Sequence, residues 1–273
     1  MIYLSSFCLS DKKVKNPNIY PYNVFHGKDA EPFVFAPITV FYGNNGSGKS
    51  TLLNIMAGKL RLKGQEMPAS NTYGKNYCIQ FVEECRFSLG DDEDGRIFRK
   101  IPENSRYIKS EDILYEIKKI QQEQILAEGM KYDLVQSGGT KEDAEAFLGS
   151  VEGWKQLEYQ KFAQEKYSNG ETTLQILEDS LMPDALYLLD EPEVSLSPQN
   201  QVKMAEEINK MARFLGCQFV IATHSPFMLG ILNAKIYNLD TECYEVQKWT
   251  ELPNIRYFYE FFKEKESEFK YCE

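Results

Sequence analysis

The chain has 273 residues, a net charge of −10 and six cysteines. That length suffices for one large domain or two small ones around a buried core. The acidity excludes a surface broadly adhesive to DNA, though not a local basic patch.

Cys8, Cys78, Cys85, Cys217, Cys243 and Cys272 show no Cys-x-x-Cys spacing and no nearby histidine cluster. They read as reduced thiols of a cytoplasmic protein and not as a zinc site. No apolar run reaches the length of a membrane span. Residues 1–7 lack the basic-then-apolar pattern of a secretory signal.

In chain order, residues 1–9 alternate weakly and predict an edge strand. Residues 12–37 are rich in Pro, Asn and aromatics and read as loops around short strands. Tyr20, Tyr22 and Phe25 within them are candidates to stack on adenine. The apolar, β-branched run Ile38-Thr39-Val40-Phe41-Tyr42 predicts a strand, and Leu52, Leu53, Ile55 and Met56 predict a helix ending near Leu62.

Between them lies Gly43-Asn44-Asn45-Gly46-Ser47-Gly48-Lys49-Ser50-Thr51, which fits G-x-x-x-x-G-K-[ST], the phosphate-binding loop. Gly43, Gly46 and Gly48 let the backbone turn tightly and aim its N–H groups inward. The helix start adds the positive end of its dipole. Lys49 supplies a point charge for the β- and γ-phosphates, and the Ser50 hydroxyl is a hard ligand for Mg²⁺.

Residues 77–82 predict a further strand. Residues 83–165 change character. Asp91-Asp92-Glu93-Asp94-Gly95 has the spacing of a calcium loop without its twelfth-position Glu, and reads as a solvated turn. Residues 110–126 have helical spacing, residues 136–140 are a Gly-rich break, and residues 141–166 are helical and highly charged. Residues 168–182 predict a helix led by Ser168-Asn169-Gly170-Glu171, whose Ser hydroxyl and close-approach Gly suit an anion as well as a plain N-cap box.

Ala185-Leu186-Tyr187-Leu188-Leu189 is apolar without alternation, the pattern of a parallel strand buried on both faces. A helix opens at Pro198 and runs to Leu215, a second buried strand covers residues 218–222, and a short helix follows Pro226. Late strands at 235–239 and 243–248 and an aromatic amphipathic helix at 257–269 complete the pattern. Strands alternating with helices argue for an α/β sheet.

Two more stretches carry chemistry. Asp190-Glu191 ends a buried strand, where Asp190 suits Mg²⁺ and Glu191 suits a water attacking the γ-phosphate. Ala222-Thr223-His224-Ser225-Pro226 ends the next strand, so His224, one of only two histidines, lands at the same edge, within reach of the γ-phosphate.

In this order the motifs resemble those of the ATP-binding-cassette (ABC) ATPase superfamily, over most of the chain. By that likeness Gly43–Thr51 is Walker A, Ser168, Gly170 and Glu171 belong to the signature, Asp190 and Glu191 to Walker B, Ser195-Leu196-Ser197 to the D-loop, and His224 is the switch. The signature departs from the transporters' Leu-Ser-Gly-Gly-Gln, and Ser197 stands where Asp is usual. The Q-loop stays open between Gln80 and residues 106–112, where Ser110, Glu111 or Asp112 would substitute for Gln.

The details look most like short stand-alone bacterial AAA-family ATPases related to DNA-repair and anti-phage ATPases. The resemblance implies a P-loop NTPase fold with an ABC-type core, a mostly parallel sheet, an antiparallel β edge and a helical signature subdomain. It implies one domain over residues 1–273, with residues 83–182 as the insert. It also implies ATP and Mg²⁺ as cofactors, an ATP-dependent homodimer and a protein partner encoded nearby, with nucleic acid open as a ligand. Two other functions stay open: the ATPase subunit of a transporter, and a non-hydrolytic ATP-binding scaffold.

Overall fold

The computed structural model describes residues 1–12, 14–16, 18–28, 31–66, 76–92, 94–110, 140, 147, 150, 181–194 and 196–269. The chain forms two compact units, Met1–Ser110 with Met182–Val194 and Pro198–Glu273, and Glu111–Leu181 with Ser195–Ser197. Every element below belongs to the first. Apart from positions 110, 147, 150, 181 and 182, the helices expected at 110–126, 141–166 and 168–182 lie outside the described residues, as do the signature residues Ser168, Gly170 and Glu171, and Ser195, Glu111 and Asp112.

The first unit is built on a five-stranded sheet in the order β5-β6-β7-β3-β8. Its strands are β3 (Ile38–Tyr42), β5 (Arg106–Lys109), β6 (Leu186–Asp190), β7 (Gln218–Ala222) and β8 (Lys235–Asn238), and every pairing is parallel. β3, β6 and β7 are buried at every residue, as their unbroken apolar runs require.

The period of two sends their side chains to opposite faces. Leu186, Leu188, Val220, Ala222 and Phe41 join the cluster that holds Leu52, Leu53 and Met56 of helix α1 (Lys49–Leu60). The other face is open to the helix at Pro198–Phe214, which packs on β7 and buries Met204, Ala205, Ile208 and Met211.

A three-stranded antiparallel sheet, order β2-β1-β4, comprises β1 (Leu4–Cys8), β2 (Phe33–Val34) and β4 (Arg86–Leu89). Side chains tie it to the parallel sheet: Tyr237 and Lys235 of β8 bond the backbone of Val34, and Gln218 of β7 bonds that of Tyr3 and Leu4. Gln218 Oε1 accepts from Tyr3 N at 2.8 Å and Leu4 N at 2.9 Å, and its Nε2 donates to Leu4 O at 2.9 Å. This is the α/β P-loop fold, a mostly parallel sheet beside an antiparallel one. No helix among the described residues is long and apolar enough to cross a membrane.

Four local expectations are corrected. Residues 77–82 form helix α2 (Tyr77–Glu84), not a strand. The Asn76 side chain accepts from Cys78 N and Ile79 N at its start, and only Phe81 is buried, so one anchored face replaces the two a strand would need. β1 is the middle strand of its sheet and not an edge, because the two-residue β2 flanks it. Residues 243–248 make only an isolated bridge, Tyr237 to Val246. The aromatic helix starts earlier, at Pro253, and runs to Glu264 with a separate turn at Glu266–Phe269.

Glu84, at the end of α2, gathers the loops in front of the sheet. It accepts from Ser10 Oγ at 2.6 Å, Tyr22 OH at 2.9 Å and Gln80 Nε2 at 2.8 Å, with Lys12 Nζ at 3.4 Å. Burial alone would raise its pKa, but the bonds from Ser10, Gln80, Tyr22 and Lys12 win and bring it from 4.5 down to about 2.

A carboxylate whose folded pKa is depressed stabilises the fold above its unfolded pKa, and that stability is lost as pH falls through the folded value. Glu84→Gln is therefore expected to cost about 2 kcal/mol at neutral pH, or roughly 4–8 °C in Tm. The gap to wild type should close between about pH 4.5 and about pH 2. Thermal melts of both proteins across that range measure it; a gap constant with pH would deny the carboxylate this role.

Candidate functional site

The parallel registers bring the strand ends level. Lys109 pairs with Asp190, Asp190 with Ala222, Phe41 with Ala222, and Tyr42 with Asn238. Whatever follows each strand therefore emerges at one edge, where an α/β sheet places its ligands.

After β3 the backbone passes through Gly46 at φ 86° and Gly48 at φ 92°, left-handed values that suit glycine. Gly48 is also the N-cap of α1, and no side chain caps that helix. Its first-turn N–H groups thus face the loop, with no acidic residue in that turn to compete for them. A Cβ at Gly43 would sit 2.4 Å from Ser47 Oγ, so the loop closes on itself only with glycine there.

Lys49 is 5 % exposed, and its Nζ donates to Gly43 O at 2.9 Å and Asn44 O at 3.3 Å. Ser47 Oγ is buried with no partner among the described residues. An uncapped helix start, an inward cation and an orphaned hydroxyl fit a phosphate chain. Asn44 and Asn45 are exposed on the loop's outer turn.

Across the loop, Ser50 Oγ donates to Asp190 Oδ1 at 3.1 Å, and Tyr107 OH donates to Asp190 Oδ2 at 3.2 Å. Burial pushes the Asp190 carboxyl above its ordinary value, against the pull of the Ser50 and Tyr107 bonds. Hydroxyl and carboxylate oxygens in contact are the hard donor set that Mg²⁺ takes, so the residues fit that ion.

Glu191 follows in a left-handed conformation, φ 47°, with its N–H on Ala222 O at 2.9 Å. Its Oε1 lies 3.7 Å from Lys49 Nζ and 3.4 Å from His224 Nδ1. The His224 side chain is 49 % exposed and so open to a ligand. The structure thus gathers Lys49, Ser50, Asp190, Glu191 and His224 at one edge.

Sequence reasoning missed four neighbours. Tyr107 holds the free oxygen of Asp190. Glu193 sits beneath His224, its Oε1 accepting from Thr223 Oγ1 at 2.5 Å and His224 N at 3.2 Å. Asp240 accepts from Asn44 N at 3.0 and 3.1 Å and from Asn44 Nδ2 at 2.9 Å. Asn254 Nδ2 donates to Asn44 Oδ1 at 3.0 Å.

Only Glu193 left a trace in the sequence, as a third acid directly after Asp190-Glu191-Pro192. Of the three aromatic candidates, Tyr22 and Phe25 are buried against Phe81. Tyr20 is 48 % exposed, with its OH 3.5 Å from Thr51 Oγ1.

A family model described as "AAA domain, putative AbiEii toxin, Type IV TA system" matches residues 66–230, more than half of the chain. That span contains Asp190, Glu191 and His224 and begins after the glycine loop. No curated protein matches.

Among solved structures the chain is similar to a nucleotide-free ATP-binding cassette from an ABC transporter. The identity is 14 % over 95 % of this chain and 99 % of that one, with TM-score 0.46. It is also similar to the SMC head domain from Thermotoga maritima (13 % identity, 90 % and 99 % covered, TM-score 0.41). A third is the Smc head domain with an extended coiled coil bound to the C-terminal domain of ScpA, derived from Pyrococcus furiosus (13 %, 97 % and 100 %, TM-score 0.43).

Proposed function

Because the chain belongs to the family of that AAA domain, we propose that it is an ABC-type ATPase that hydrolyses MgATP to ADP and phosphate and uses the cycle to gate a partner. The observation that carries this reading is Glu191, whose one carboxylate oxygen faces both Lys49 and His224. A cation, a base and a second polar donor meet where a γ-phosphate on the loop would lie.

The loop N–H groups, the α1 start and Lys49 bind the phosphates, and Tyr20 offers an exposed ring beside Thr51 for adenine. Ser50 and Asp190 would hold Mg²⁺, whose charge offsets that of the β- and γ-phosphates. As phosphate draws Lys49 away, Glu191 is left to orient a water and take its proton. The new oxygen–phosphorus bond forms as the bond to the ADP oxygen breaks. His224 donates to the γ-phosphoryl oxygens as charge spreads over them.

Residues 83–110 carry β4 and β5 of the first unit and so fall outside the expected insert; by the same reading the signature subdomain lies within the remainder, and Ser168, Gly170 and Glu171 of one copy close over the nucleotide of a second. A defence or DNA-repair role and a partner encoded nearby belong to this proposal. So does a cytoplasmic location.

Phosphate release from MgATP by the purified chain tests the reading. Steady turnover supports it, and ATP binding without turnover would make the chain a scaffold. His224→Ala is expected to lower kcat by about 10²-fold or more, the scale of a lost charge-directed donor, with ATP affinity close to wild type. Unchanged kcat in that variant would reduce His224 to a strand-end residue.

A further inference from the structure

We infer that Glu193 is a positioning residue that seats His224 against Glu191. The inference rests on the ATPase reading for its catalytic consequence, but not for its geometry.

Glu193 is 5 % exposed and Thr223 is fully buried. The single oxygen Oε1 takes both the Thr223 hydroxyl, at 2.5 Å, and the His224 backbone N–H, at 3.2 Å. Thr223 Oγ1 in turn accepts from Ser225 N at 3.0 Å. One carboxylate therefore fixes three successive residues where β7 turns away from the sheet.

His224 Nδ1 is 3.8 Å from that oxygen, too far for a hydrogen bond, and 3.4 Å from Glu191 Oε1. Glu193 thus acts on the ring through the backbone and leaves Nδ1 to Glu191. Which ring nitrogen carries the proton is set by such a contact.

The second oxygen, Oε2, is buried with no partner among the described residues. An unpaired buried acceptor destabilises the fold, and burial also pushes this carboxyl above its ordinary value. Only the other oxygen is engaged, by the Thr223 hydroxyl and the His224 N–H. The chain carries that cost to hold the Thr223–Ser225 turn in one place. Positioning errors of about 1 Å are worth about 10²-fold in rate.

Three variants test this. Glu193→Ala removes both anchors, Glu193→Gln keeps an acceptor oxygen without the charge, and Thr223→Val removes one donor. Glu193→Ala is expected to lower kcat by about 10–10²-fold with ATP affinity within about 2-fold of wild type. Glu193→Gln should restore most of the rate, and Thr223→Val should fall between.

The second readout needs no turnover. The chain has two histidines, so long-range ¹H–¹⁵N spectra resolve both rings, and His224→Ala assigns them. His224 should be the Nδ1–H tautomer in wild type and Glu193→Gln, and should lose that preference in Glu193→Ala.

A purely stabilising role would lower Tm yet leave kcat per folded enzyme and the tautomer unchanged, and that result overturns the inference. So would Glu193→Gln as impaired as Glu193→Ala, since charge and not seating would then matter. If Glu193→Ala does not fold, Thr223→Val decides on the same two readouts. If the wild type binds ATP without turnover, the ATPase reading fails while the tautomer still decides the role of Glu193.

Discussion

Lys49→Ala should bind MgATP at least about 10²-fold more weakly than wild type. The substitution removes the cation of the loop, which is 5 % exposed and aimed at the loop's own carbonyls, Gly43 O and Asn44 O. A phosphate chain entering there brings several negative charges into a site with little water. Leaving them unpaired costs about 3–5 kcal/mol, which is the stated loss with margin. Isothermal titration measures it, and circular dichroism establishes that the variant is folded. A folded variant with wild-type affinity would remove the loop from nucleotide binding altogether.

Glu191→Gln is expected to cut phosphate release by roughly 10²-fold or more, the scale of a positioned acid–base group. Glutamine keeps the size of the side chain and tolerates the same backbone, which sits at φ 47°. What it loses is the ability to take a proton, and with it the negative charge between Lys49 and His224. ATP then persists.

In the proposed closed state each γ-phosphate is held by Lys49 of one copy and Ser168 of the other. The variant should therefore pass from monomer, or loose association, to a closed dimer on adding MgATP. Ser168→Arg in the same background should bind ATP and fail to close. Light scattering behind a sizing column, together with crosslinking across the Ser168 face, reads both. No response to MgATP in either measurement would exclude closure through Ser168, leaving a P-loop ATPase of another geometry.

The parts of the fold legible in the sequence are those whose physics is local. Ile38–Tyr42, Leu186–Asp190 and Gln218–Ala222 are buried on both faces, so composition alone marks them as central strands. The glycine loop shows because left-handed turns need a residue type visible in the text. β4 and β5 do not show: Arg86-Phe-Ser-Leu and Arg106-Tyr-Ile-Lys are short, charged at one end or both, and lie at sheet edges.

Tyr77–Glu84 misleads because its aromatic and β-branched residues favour strand, while the deciding signal was Asn76 as a cap. Asp240 and Asn254 carry no local pattern at all. They reach Asn44 only because β8 lies beside β3.

The sheet order also sets a sequence of events during synthesis. Strand β3, which delivers the glycine loop, has β7 on one side and β8 on the other, both made long after it. The hydrogen bond from Asn44 N to Asp240 spans 196 positions, and Gln218 reaches back 215 positions to Tyr3. At about 5–20 residues per second, the loop waits on the order of ten seconds or more on the ribosome without either neighbour. Such distant pairing makes assembly slow and leaves the apolar face of β3 exposed to other chains meanwhile. The glycine loop therefore gains its neighbours only when β7 and β8 dock against β3. A ligand that grips only the finished sheet then draws newly made chains toward it by mass action.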